Sequence, residues 1–121
     1  KQIFEKEKIQ KSISILGWSF KKNTNDSRES ASIDITKSLL SNGFSVNVYD
    51  PKVSHTRILT DLGITDNKKP ENLKISSSVR DSLSGSYAIC VLTEWDEFKS
   101  YDWNKIYNNP KNIEWLLSWK K

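Results

Sequence analysis

The segment between Trp18 and Arg28 carries the densest set of chemically useful groups in this chain. It sets an aromatic pair, Trp18 and Phe20, beside Lys21, Lys22 and Arg28, and it runs into a stretch of helical periodicity. A helix N-terminus presents backbone N–H groups without intrahelical partners and so favours anions. Lysine or arginine beside it can neutralise a phosphate through charge-assisted hydrogen bonds. Phosphate binding is the chemistry these residue types suggest, with Phe20 either stacked on a base or filling the core. A solvated basic loop with Phe20 turned inward fits the same composition, and composition alone leaves both readings open.

The remaining reactive residue types point away from catalysis. A dinucleotide turn needs glycines so that the backbone can approach a pyrophosphate. Here Gly17 stands alone and bulky Trp18 and Phe20 follow it. Asp50 ends a strand-like run, where a ribose-binding acid often sits, but without those glycines Asp50-Pro51 reads first as a strand terminator. Glu94 reads as the cap of a following helix rather than an acceptor for a ligand hydroxyl, and Trp95 as packing. His55, the only histidine, lies in a polar stretch with no Ser, Cys or carboxylate pattern around it. Cys90 falls within the apolar run YAICVL, where burial disfavours the thiolate. No metal-ligand spacing occurs. The expectation is a set of anion-binding groups with no nucleophile–base pair and no nicotinamide seat.

Alternating elements must position these groups. Ser12 to Leu16 is a short β-type run ended by Gly17. A helix of about twelve residues follows the polar loop, with Asp26 or Ser27 as its cap and Glu29 completing a capping box. Its inward stripe is Ala31, Ile35 and Leu39, widened by Leu40, and Asn42-Gly43 stops it. Further strands are expected over 44–49, 73–76 and 87–92, the last continuous enough to be buried on both faces. Helical segments are expected over 56–62, 79–83, 94–99 and 103–107. Strands separated by helices imply right-handed crossovers, hence an α/β, three-layer Rossmann-like domain with a mostly parallel sheet. Ligands of such sheets sit beyond the carboxyl ends of the strands, where the Gly17 loop, Asp50-Pro51 and Thr93-Glu94-Trp95 should converge.

A chain of 121 residues suffices for one domain with a core of its own. The lone cysteine cannot form an internal bridge, which suits a reducing, cytoplasmic setting. No run is long enough to span a membrane, and the charged start is not a signal peptide. The formal charge of +4 is mild and gathers at the two ends. Without a recognition motif it gives no case for nucleic acid, though a modest positive field favours a phosphate-bearing ligand. Residues 1–11 are expected to be a linker or the end of an upstream helix, and 12–121 the domain.

Three segments, in order and in register, carry a family resemblance. Gly17-Trp18-Ser19-Phe20-Lys21-Lys22-Asn23-Thr24-Asn25-Asp26-Ser27-Arg28-Glu29-Ser30 resembles the G-x-x-[FY]-K-x-[DN]-T-x-D-x-R-x-S segment of the UDP-glucose 6-dehydrogenase family. Val48-Tyr49-Asp50-Pro51 and Thr93-Glu94-Trp95-Asp96-Glu97-Phe98 look like that family's Y-D-P and T-E-W-x-x-F signatures. Members have an N-terminal NAD-binding domain, a central helical dimerisation domain and a C-terminal UDP-binding domain, and this chain is similar to the last. The family oxidises the C6 alcohol of UDP-glucose to a carboxylate in two NAD-dependent steps through a cysteine-linked thiohemiacetal and thioester. That cysteine belongs to another region, and Cys90 falls at a non-catalytic position.

The resemblance puts Phe20 and Lys21 at positions that contact the UDP-sugar, and Arg28 where the family reaches toward the nicotinamide cofactor. It implies UDP-glucose or a related nucleotide-sugar as partner, NAD held mainly by the N-terminal domain, and a homo-oligomeric parent. This chain alone should be catalytically silent. The departure is at the end, where KNIEWLLSWKK replaces the family's last strand and F-D-G-R motif. Trp115, Leu116, Leu117 and Trp119 would there form a strand or helix over the core. The missing arginine leaves a rival expectation, a fragment of the same fold that binds no nucleotide. A further alternative keeps the class but takes UDP-N-acetylmannosamine or GDP-mannose.

Overall fold

The computed structural model describes residues 11–19, 21–28, 30–107 and 112–115. The chain alternates β1 (Ser12–Leu16), α1 (Ala31–Ser41), β2 (Ser45–Tyr49), α2 (His55–Asp61), β3 (Leu73–Ile75), α3 (Val79–Leu83), β4 (Ala88–Val91), α4 (Asp96–Ser100), α5 (Trp103–Ile106) and β5 (Ile113–Trp115). The strands form one sheet in the order β3-β2-β1-β4-β5. Every pairing is parallel, with Ile15 beside Val48 on one side and Cys90 on the other. Chain order therefore reverses between β1 and β4, the switch point at which such sheets open a crevice.

Strand alternation divides the core in two. Ile13, Ile15, Val46, Val48 and Leu73 face one layer with Ile58, Leu59 and Leu62, against which Ile35, Leu39 and Leu40 pack. Leu16, Tyr49, Ile89 and Val91 face the other, with Val79, Leu83, Phe98 and Tyr107. Helices α1 and α2 thus cover one face and α3 to α5 the opposite face, the three-layer arrangement expected. On the second face the polar Ser14 and Asn47 pin α3 to the sheet. Ser14 Oγ donates to the Ser82 carbonyl, and Asn47 Nδ2 donates to the Asp81 carbonyl at 3.4 Å.

Four local expectations need correction. Helix α1 begins at Ala31, not near Asp26, and its cap is Ser30, whose side chain accepts from the Ser32 N–H. Asp26 and Ser27 are engaged elsewhere, Asp26 with Arg28 and Ser27 with Asp61 and Arg57. Glu29, the other half of the expected capping box, lies outside the described residues. The deepest face of α1 is Ser32 and Thr36 rather than the Ala31 stripe, because Ser32 Oγ donates to the Gly17 carbonyl at 2.8 Å and draws the helix down. Glu94 caps nothing: the cap position of α4 is Trp95, and exposed Glu94 pairs with Lys99 at 3.7 Å. Strand β4 is not buried on both faces, since Ile89 and Val91 are sealed while Ala88 and Cys90 are only half-buried. In the tail, β5 adds a strand at Ile113–Trp115, and the expectation for Leu116, Leu117 and Trp119 lies outside the described residues.

Candidate functional site

The three expected segments do meet at the carboxyl edge. Gly17 leaves β1 at φ 103°, a conformation that glycine adopts without strain, and its N–H donates to the Tyr49 carbonyl at 2.8 Å. A Cβ there would lie 2.5 Å from the Thr93 backbone nitrogen, so the space itself demands glycine. Thr93 Oγ1 returns a hydrogen bond to the Ser19 carbonyl at 2.8 Å, and the Leu92 N–H donates to the Leu16 carbonyl at 2.9 Å. The ends of β1 and β4 are therefore stapled together.

Two carboxylates hold the loop that follows. Asp50 accepts the N–H groups of Trp18, Ser19, Lys52 and Val53 and the indole N–H of Trp95. Asp61 accepts the Trp18 indole N–H at 2.9 Å and the Ser27 hydroxyl at 2.5 Å, and pairs with Arg57 at 3.2 Å. Trp18 is fully buried and bridges the two, its backbone on Asp50 and its ring on Asp61. Trp95 is packing, as expected, but it also serves as a donor.

This framework borders a crevice of about 650 Å³ between residues 24–28 and 52–57. An adjoining recess of about 490 Å³ shares Thr24, Asn25 and Lys52 and reaches Asn23 and Trp95. Asn23 turns the loop at φ 66°, a left-handed conformation that asparagine tolerates better than most residues. Three cationic residues line the larger space: Arg28, Lys52 and Arg57. Arg28 forks onto Asp26, Nε to Oδ1 at 3.0 Å and Nη2 to Oδ2 at 2.8 Å. Those hydrogen bonds hold the Asp26 carboxyl at about 2, below the usual carboxylate range.

Of the residues expected in the site, Arg28 lines the crevice. Lys21 is exposed on the same loop but is not among the residues lining either space, and its carbonyl accepts from Ser19 Oγ at 2.9 Å. Phe20 lies outside the described residues. Lys22 turns to Asp96 at 3.2 Å. Lys52 and Arg57 escaped the sequence reading because they arrive from a second segment after β2. The signal available was the rule that carboxyl ends of strands converge, which already singled out Asp50-Pro51.

Arg28 is paired with Asp26 and Arg57 with Asp61, so the crevice brings together charges of both signs, with Lys52 beside them. His55 lies instead against a separate recess of about 280 Å³ with Leu59 and Lys69. Burial pushes the Cys90 thiol up, with a smaller push from Glu114. Among the described residues no group of three or more His, Cys, Asp or Glu is disposed to hold a metal, and no helix is long and apolar enough to cross a membrane.

Comparison with known proteins agrees with this architecture. Residues 14–116 match the UDP-glucose/GDP-mannose dehydrogenase family, UDP binding domain. The chain belongs to that family. It is 38% identical over 120 residues to UDP-glucose 6-dehydrogenase 4 of Arabidopsis thaliana, covering 88% of this chain and 25% of that one. It is 42% identical over 101 residues to the UDP-glucose 6-dehydrogenase of Gallus gallus, covering 80% of this chain and 20% of that one. The chain thus spans a quarter or less of the length of these relatives. Among solved structures, the UDP-glucose dehydrogenase of Pyrobaculum islandicum shares the fold, with a TM-score of 0.64 and 21% identity over 84% of this chain and 24% of its own. The UDP-D-ManNAc dehydrogenase of Pyrococcus horikoshii aligns with a TM-score of 0.61 and 25% identity over 93% of this chain and 22% of its own.

Proposed function

We propose that this chain is the nucleotide-sugar-binding part of an NAD-dependent UDP-glucose 6-dehydrogenase-like protein, which oxidises UDP-glucose to UDP-glucuronate. Its own contribution is binding and not chemistry. The observation that carries this reading is the crevice at the carboxyl edge, between the loops after β1 and β2 and walled by Arg28, Lys52 and Arg57. Cationic side chains beside a polar loop suit a diphosphate, because charge-assisted hydrogen bonds are the strong ones. In this reading Lys21 and Phe20 contact the UDP-sugar from the neighbouring stretch of loop, and Arg28 points toward the nicotinamide cofactor. The names of the curated relatives support UDP-glucose as the sugar nucleotide.

The first turn of this chain does not itself fit NAD. It has one glycine, and the N–H groups of Trp18 and Ser19 already donate to Asp50. NAD accordingly belongs to another region of the whole protein, which we take to be homo-oligomeric and cytoplasmic. Calorimetric or NMR titration with UDP and UDP-glucose tests the binding role. We expect Lys21→Ala and Lys52→Ala each to weaken UDP about tenfold, the loss of one charge-assisted contact. No binding at millimolar ligand, or undiminished affinity in both variants, would count against it. Reduction of NAD by this chain alone would overturn the non-catalytic part. The likeness to a UDP-D-ManNAc dehydrogenase favours one second reading, a different sugar on the same diphosphate, and parallel titration with UDP-N-acetylmannosamine and GDP-mannose separates the two.

A further inference from the structure

In a parallel sheet that binds a dinucleotide, the backbone N–H groups of the turn after the first strand face a pyrophosphate. Here the same turn already faces a negative group. Asp50 Oδ2 accepts from Trp18 N at 2.6 Å, Ser19 N at 3.0 Å and Trp95 Nε1 at 3.1 Å. Its Oδ1 accepts from Lys52 N at 2.8 Å and Val53 N at 3.0 Å. The residue is only 8% exposed.

We infer that Asp50 is a positioning residue whose carboxylate fills the anion seat of the first turn, closing that turn to phosphate and tying together the three segments around the crevice. The inference deepens the nucleotide-sugar reading and, for its effect on affinity, rests on it. The chemistry follows from the count of donors. A carboxylate offers about four lone-pair sites on two oxygens, and no other ordinary side chain of this size accepts on both sides. An asparagine in its place has one accepting oxygen. Turned one way, its NH₂ meets the three N–H groups that Oδ2 now serves; turned the other way, it meets the two that Oδ1 serves. Either orientation strands donors, and the stranded donors belong to the loops at the carboxyl edge rather than to the strand interiors. The phosphates of a ligand are then met farther out, by side chains such as Lys52.

Amide hydrogen exchange on the ¹⁵N-labelled chain tests the positioning role without any ligand. In the native chain the N–H groups of Trp18, Ser19, Lys52 and Val53 and the Trp95 indole should be protected. In Asp50→Asn they should exchange about tenfold faster or more, while the interiors of β1 and β4 hold their rates. Uniform acceleration through all strands, or none at the five donors, overturns the inference. Should Asp50→Asn fail to fold, titration of the native chain with inorganic pyrophosphate decides. Unchanged Trp18 and Ser19 amide shifts uphold a closed turn, and shifts largest at those two residues overturn it. With UDP, the variant should bind about tenfold more weakly or worse. If the native chain binds no UDP at millimolar concentration, the nucleotide-sugar reading fails, while the exchange pattern still decides the role of Asp50.

Discussion

Gly17 shows how a single position can be constrained twice, by its backbone angle and by its neighbour. At φ 103° an added Cβ costs torsional strain, and that Cβ would also press to 2.5 Å from Thr93 backbone. Gly17→Ala should therefore destabilise the domain by about 3 kcal/mol or more, because strand ends rather than a flexible side chain must shift. Urea denaturation followed by circular dichroism measures this, and a change below about 1 kcal/mol would contradict the packing described. Thr36 is the opposite case. Its Oγ1 is buried on the inward face of α1 with no hydrogen-bond partner among the described residues. Thr36→Val keeps the volume and removes the unpaired hydroxyl, so it should raise stability by about 1 kcal/mol in the same assay.

Helix α1 starts where a serine is able to cap, not where the first acid appears. Ser30→Ala should cost about 1 kcal/mol through the lost bond to the Ser32 N–H, measured by thermal unfolding, and an unchanged midpoint would remove Ser30 from that role. The join between β2 and α4 gives a pH-dependent counterpart. Glu97 accepts from Tyr49 at 3.0 Å and from Tyr101 at 2.5 Å. Burial first, and then that hydrogen bond, pushes the Tyr101 hydroxyl from 10.0 up to about 12, and the same causes raise Tyr49. Above the ordinary tyrosine value the unfolded chain has lost these protons while the folded chain keeps them. The stability they confer is present below pH 10.0 and declines as pH climbs toward about 12. Glu97→Gln should flatten that alkaline decline in melts recorded from pH 9 to about 12, and an identical slope would argue against the network.

Much of the architecture was legible in the residues because two periodicities carry it. Alternation along FSVNVY and the apolar run of YAICVL mark β2 and β4 to within a residue or two, and α3 falls over the span expected. What escaped was tertiary. A capping box near Asp26 is locally plausible, but it could not reveal that Ser27 would be drawn to Asp61, a residue 34 positions later. In the same way Lys52 and Arg57 join Arg28 only after the crossover folds back. In the sequence Asp50 reads as a stop signal, and its spacing carries no trace of the five donors it gathers. The close contact of Gly17 with Thr93 bears on the molecule's mechanics. It welds the floor of the switch point, so β1 and β4 cannot part to admit a wider guest. Any widening of the crevice then falls to its other walls, where Thr24 to Arg28 face Lys52 to Arg57.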